Sequence, residues 1–108
     1  MKFNEYQSAA KRTMPSDRSN DMMRLNAILG INGEAGELAD LLKKEEFQGH
    51  EFESLKYIDE AGDVLWYLVQ LSEALGTTLE FIAQYNVTKL NKRYPEGFSV
   101  DKSVNRII

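Results

Sequence analysis

The sequence predicts an all-α fold. Apolar residues recur at helical rather than alternating spacing along most of the chain. Residues that start and stop helices punctuate that pattern. No stretch alternates polar and apolar side chains as a half-buried strand would, so no sheet is expected. The simplest arrangement is four-helix-bundle-like, with three long helices plus a short N-terminal helix, completed by oligomerisation.

A short amphipathic helix is expected around Phe3–Met14, ending near Pro15. The first long helix carries Met22, Met23, Leu25, Ile28, Leu29, Leu38, Leu41 and Leu42 as its apolar positions. Ser19, Asn20 or Asp21 can cap its start, and Gln48-Gly49 ends it. The second long helix holds Leu55, Ile58, Leu65, Trp66, Leu68, Val69 and Leu75, with Gly76 as its C-terminal cap. Thr77-Thr78-Leu79-Glu80 reads as a capping box opening the third. That helix carries Leu79, Ile82, Ala83, Val87 and Leu90 and stops at Tyr94-Pro95, because proline cannot continue the hydrogen-bond ladder. Gly30, Gly33, Gly36 and Gly62 fall inside helices, each at about 1 kcal/mol relative to alanine. Close helix–helix approach is the expected reason.

At 108 residues the chain is long enough for one domain, 1–108, with a modest core. Its net charge of −4 argues against affinity for nucleic acid or anionic membranes. Without cysteine there is no disulfide, no thiolate zinc ligand and no cysteine nucleophile. No leader pattern and no membrane-length apolar run is visible, which makes a cytoplasmic location the expectation.

Two acidic pairs carry the chemistry: Glu34-Ala-Gly-Glu37 and Glu60-Ala-Gly-Asp63. On helices, i,i+3 spacing points both carboxylates of a pair the same way, at roughly 0.2–0.5 kcal/mol of repulsion. Glu34 has Gly30, Ile31, Leu38 and Leu41 within two turns; Glu60 has Tyr57, Val64 and Tyr67. Carboxylates in such apolar company need a counter-charge or a proton. Glu37 and Asp63 have Asp40, Lys44, Asp59 and Gln70 near them, the setting of a solvated rim. Four hard oxygen ligands from two facing helices suit Mg²⁺, with Mn²⁺ as a substitute. Helical di-iron sites use E-x-x-H instead, and the only histidine, His50, lies in the loop after Gly49.

Mg²⁺ held by carboxylates is usually shared with substrate phosphates. The third long helix offers a matching basic face in Asn86, Lys89 and Arg93 at i, i+3 and i+7. Favourable charge at a helix C-terminus is the plainer account of Lys92 and Arg93. Lys102 and Arg106 read as solubility charge, and Trp66 as core or interface. Tyr67, one turn beyond Asp63, is the better candidate for touching a substrate.

Three blocks in order resemble a known family. They are Gly33-Glu34-Ala35-Gly36-Glu37-Leu38, Asp59-Glu60-Ala61-Gly62-Asp63-Val64-Leu65-Trp66-Tyr67-Leu68, and Asn86 to Lys89 with Arg93-Tyr94-Pro95-Glu96-Gly97-Phe98. Together they look like the MazG-like all-α nucleoside triphosphate pyrophosphohydrolases, with a likeness running from about Tyr6-Gln7 to Phe98. Either acidic pair alone is a common pattern; the ordered set is specific.

The resemblance implies a hydrolase that splits a nucleoside triphosphate into the monophosphate and pyrophosphate. Its Mg²⁺ would be bound by Glu34, Glu37, Glu60 and Asp63, and its phosphates or nucleoside handled by Asn86, Lys89 and Arg93. It implies homodimers or homotetramers whose sites use helices of more than one subunit. Water would attack the α-phosphoryl group, with Glu34 or Glu37 taking the proton. The alternatives are a relative acting on dUTP, dCTP or phosphoribosyl-ATP, and a non-catalytic helical oligomerisation module.

Overall fold

The structure, a computed structural model, describes residues 1–106. Five helices follow one another: α1 (Phe3–Lys11), α2 (Asn20–Phe47), α3 (Ser54–Ala74), α4 (Leu79–Arg93) and α5 (Val100–Val104). The all-α class holds, with no strand among the described residues and one isolated bridge between Pro95 and Gly97. The three long helices stand where the sequence places them, and the short N-terminal one starts at Phe3 as expected but ends at Lys11 rather than Met14. α5, capped by Ser99 accepting from the Lys102 amide at 3.0 Å, was not expected. Five residues carry too little periodicity to betray a helix.

The helix boundaries follow from their caps. Ser19 accepts from the Met22 amide at 3.2 Å and starts α2. Gly49 and Gly76, with φ of 71° and 69°, end α2 and α3 in the left-handed region that glycine enters without penalty. At the end of α3 the Gly76 amide donates to the Glu73 carbonyl and the Thr77 amide to the Ser72 carbonyl, which satisfies both orphaned acceptors. The α4 cap differs by one residue from the expected box. Thr78, not Thr77, accepts from the Phe81 amide at 3.0 Å. The acid of the box is therefore out of register, and Glu80 instead accepts from Asn4 of α1 at 3.0 Å.

The architecture is an antiparallel α2–α3 hairpin with the shorter helices gathered at one end. At that end α1 lies against α3 and the start of α4, and Ala10, Val69 and Leu79 form the small core, with Tyr6, Met14, Leu65, Trp66 and Leu68 packed on it. Gln7 is buried there and satisfied on both sides: it donates to Glu73 at 2.7 Å and accepts from the Leu79 amide at 2.8 Å. Lys11 pairs with Glu73 at 3.3 Å, and Trp66 donates to Thr13 at 2.7 Å. Trp66 is thus a core anchor, as one of its two sequence readings had it.

The expected burial of the first long helix is not what a single chain shows. Ala27 is the only fully buried residue of α2, while Met22, Leu25, Ile28 and Leu29 are each more than half exposed. Phe81, Tyr85, Val87 and Leu90 of α4 are likewise exposed, because α4 has little contact with α3 beyond their connecting turn and does not pair with α2. The radius of gyration is 17.0 Å, against about 13 Å for a compact chain of this length. The close-approach explanation of the helical glycines holds at Gly30 alone; around Gly33, Gly36 and Gly62 an added Cβ would meet open space.

Gln7→Ala should leave the Leu79 amide without its acceptor in the small core, at a cost of about 1–3 kcal/mol. Urea denaturation followed by circular dichroism should show a lower midpoint with an unchanged slope. An unaltered midpoint would mean that Gln7 does not tie α1 to the α3–α4 corner.

Candidate metal centre

The α2–α3 hairpin brings three of the four paired acids together. One carboxylate oxygen each from Glu34, Glu60 and Asp63 lies within 4.8 Å of the others. Glu34 and Glu60 are half-buried between the helices and Asp63 is exposed at the rim. Glu37, one turn beyond Glu34, is exposed and outside this group, and its charge is felt by Lys44, which pairs with Asp40 at 2.8 Å.

The electrostatics are those of crowded carboxylates. Glu60 is held above its ordinary range first by a shared hydrogen bond with Glu34, then by desolvation and by the charges of Glu34 and Asp59. Asp63 is raised by desolvation and by the charges of Asp59 and Glu60. Among the described residues, the charges that raise these two carboxyls are all negative. Oxygen-only donors at this spacing could hold one hard divalent cation, which would offset that repulsion.

Two interhelical ties flank the acids. Towards the hairpin loop the Tyr57 hydroxyl donates to Glu45, which pushes the phenol up to about 12, and the Phe52 ring packs on Tyr57. Towards the other end buried Gln70 donates to the Met23 carbonyl at 3.0 Å and to Asn26 at 2.9 Å. Between the acids and Gln70 lies half-buried Tyr67, its ring against Gly30 of α2 and edge-on to Trp66, with centroids 5.0 Å apart. Tyr6 of α1 also borders the site. Its phenol is raised by burial and then by the charge of Asp63. Sequence reading gave Tyr6 no role, since the contact joins α1 to α3 across the fold and no local spacing announces it.

The basic face stands apart from the acids. Asn86 and Lys89 are exposed on α4 and Arg93 is half-buried near its end, and α4 does not pack along α2. Lys89 lines a concavity of about 330 Å³ with Tyr85, Thr88 and Lys92. Two others, of about 470 and 350 Å³, lie at Pro95–Lys102 and between α1 and the start of α2. None of the three includes Glu34, Glu60 or Asp63. His50 is an exposed loop residue, as expected.

A helical hairpin that clusters the carboxylates of Glu34, Glu60 and Asp63 defines a class: an all-α protein with a candidate site for a divalent cation. Comparison with known proteins makes the class specific. A sequence model of the MazG nucleotide pyrophosphohydrolase domain matches residues 24–98, and the chain belongs to that family. It is also similar to the Gene 37 protein of Mycobacterium phage L5, with 31% identity over 109 residues that cover 94% of this chain and 96% of that one. No solved structure matches it. No helix among the described residues is long and apolar enough to cross a membrane.

The raised carboxyls fix the sign of a pH dependence. A carboxyl whose folded pKa lies above its unfolded value favours folding while protonated, and that contribution is lost as pH rises through the folded pKa. In metal-free buffer the melting temperature should therefore fall as pH rises past 3.8 for Asp63 and 4.5 for Glu60 into their raised range. Millimolar Mg²⁺ should reverse that fall, by an amount that grows with occupancy. Thermal scans across this range with Mg²⁺ or with EDTA test it; coincident curves would count against a cation site.

Proposed function

We propose that this protein hydrolyses a nucleoside triphosphate to the nucleoside monophosphate and pyrophosphate in a reaction that depends on Mg²⁺, with Mn²⁺ able to substitute. The observation that carries the reading is the set of three carboxylates, Glu34, Glu60 and Asp63, converging from facing helices in a chain of the MazG family. The overall reaction balances with water alone: an oxygen–phosphorus bond forms at the α-phosphorus and its bridging oxygen to the β-phosphorus leaves with pyrophosphate. A bound divalent ion would neutralise phosphoryl charge and make a coordinated water easier to deprotonate.

The chain's own residues have distinct tasks. Glu34, Glu60 and Asp63 hold the cation. Glu37, one turn from Glu34 and outside the ligand group, is better placed than Glu34 to accept the proton of the attacking water, directly or through a second water. Tyr67 offers its ring to the nucleoside. Asn86, Lys89 and Arg93 handle phosphate oxygens, the lysine as a point charge and the arginine as a bidentate fork.

That last task needs a second copy of the chain, since α4 stands away from its own acidic cluster. Apolar exposure supports a homodimer or homotetramer. The surface of the chain is 8068 Å², against ~6,100 Å² for a compact monomer of this mass. The excess of roughly 1,900 Å² is ample for a stable homo-oligomer. Met22, Leu25 and Leu29 on α2 and Phe81, Tyr85 and Leu90 on α4 are the surfaces to cover. A cytoplasmic location, among nucleotide pools, goes with this reading.

Asp63→Asn and Glu60→Gln should each lower Mg²⁺-dependent pyrophosphate release by on the order of 10²-fold or more while the helical circular dichroism persists. The assay should use a panel that includes dUTP, dCTP, the common triphosphates and phosphoribosyl-ATP, which also selects among substrates. Turnover at the wild-type rate in either variant would overturn the metal assignment. A wild-type chain inactive on the whole panel would favour a non-catalytic oligomerisation module.

Leu25→Glu with Leu29→Glu should dissociate the oligomer in sedimentation velocity and abolish turnover with it. A monomeric wild-type protein at micromolar concentration would contradict the shared site.

A further inference from the structure

We propose that Gly30 is a positioning residue for the nucleotide site, its missing side chain forming the seat that holds Tyr67 beside the acidic cluster. The inference rests on the nucleotide reading above. A Cβ built on Gly30 would fall 2.3, 2.4 and 2.5 Å from Cε1, Cζ and Cδ1 of Tyr67. Those three atoms are one edge of the ring and include the carbon that bears the hydroxyl. Around each of the other glycines an added Cβ would find nothing within 4 Å among the described residues. Glycine is the poorest helix former after proline, and of the helical glycines Gly30 is the one whose lack of a side chain is used by a neighbour.

The seat leaves the ring little freedom. Trp66 meets Tyr67 edge-on at an interplanar angle of 89°, and Trp66 is itself anchored to Thr13 of α1 at 2.7 Å. One turn further, Gln70 bonds to Met23 and Asn26, so α3 cannot slide or lift away from α2 at this level. A methyl group at Gly30 would displace the ring by about 1 Å before ordinary van der Waals distance is regained.

The position has a consequence for binding. Gly30 lies one turn before Glu34 on α2, and Tyr67 one turn after Asp63 on α3. The ring therefore lies about one helical pitch, ~5.4 Å, along the hairpin from the carboxylates. With the α-phosphate at the cluster, that is where the sugar and base begin. Gly30 acts through Tyr67 and touches no substrate itself.

The test is a cycle of Gly30→Ala, Tyr67→Ala and the double variant in the full chain with Mg²⁺, using the best triphosphate of the panel. Gly30→Ala should raise KM about tenfold with kcat much less affected, the signature of lost ground-state binding. It should also shift the emission of Trp66, the only tryptophan. Its melting temperature should fall with Tyr67 present and rise in the Tyr67→Ala background, where alanine's helix preference acts unopposed. If Gly30→Ala alone fails to fold while the double variant folds, the seat is established by that contrast. Unchanged KM in Gly30→Ala, with an active wild type, overturns the inference and leaves the nucleotide reading intact. A higher melting temperature with unaltered Trp66 emission in Gly30→Ala also overturns it. A wild type without turnover overturns the reading and, with it, the inference.

Discussion

The pairing of α2 with α3 is the constraint on which the rest depends. It sets Glu34 against Glu60 and Asp63, three carboxylates that would separate if the helices were free to do so. They stay together because the hairpin is tied on both sides of them. Tyr57 holds Glu45 towards the loop, while Gln70 holds Met23 and Asn26 at the other end, with Tyr67 seated on Gly30 between. The crowding shows in raised carboxyls: Glu60 first through its hydrogen bond with Glu34, Asp63 first through desolvation, and both further through neighbouring negative charge. Carboxylates already gathered in this way would need little reorganisation to take the proposed cation.

The same hairpin explains what the chain does not complete alone. With its polar edge devoted to the acids, α2 has only Ala27 fully buried, and the small core is made by α1 and the ends of α3 and α4. The apolar residues of α2 and α4 are left on the surface of an extended chain, and the basic residues of α4 stand away from the acids they are proposed to serve. The proposed oligomer would answer both facts, with a second copy covering the apolar faces and bringing its α4 to the first copy's cluster. Oligomerisation is then part of the proposed site and not an addition to it.

Much of this was legible in the sequence, for reasons that are local. Ser19, Gly49 and Gly76 announce helix ends because a cap is a relation between neighbours. The i,i+3 pairs mark their carboxylates because three residues are most of one helical turn. Convergence of Glu34 with Glu60 and Asp63 followed once both pairs were placed on facing helices. What could not be read depends on how helices cross. Glu37 has the same spacing from Glu34 as Asp63 has from Glu60, yet only Asp63 comes within 4.8 Å of the other carboxylates, a difference that rests on how α2 faces α3 and not on spacing. Tyr6 reaches Asp63 across the fold, and Gly30 differs from Gly33 and Gly36 only by what faces it. Periodicity marks Met22, Leu25 and Leu29 as an apolar stripe to be buried, yet all three are more than half exposed in the single chain, because spacing along one helix does not say what packs against it.

The central claim is that Glu34, Glu60 and Asp63 together hold one divalent cation. Crystals grown with Mn²⁺ and a triphosphate whose α,β-bridging oxygen is replaced by methylene would test it directly through anomalous scattering. The account predicts a manganese peak bounded by oxygens of these three carboxylates and of the nucleotide phosphates. A nucleotide bound elsewhere, or manganese absent from the three acids at saturating concentration, would contradict it.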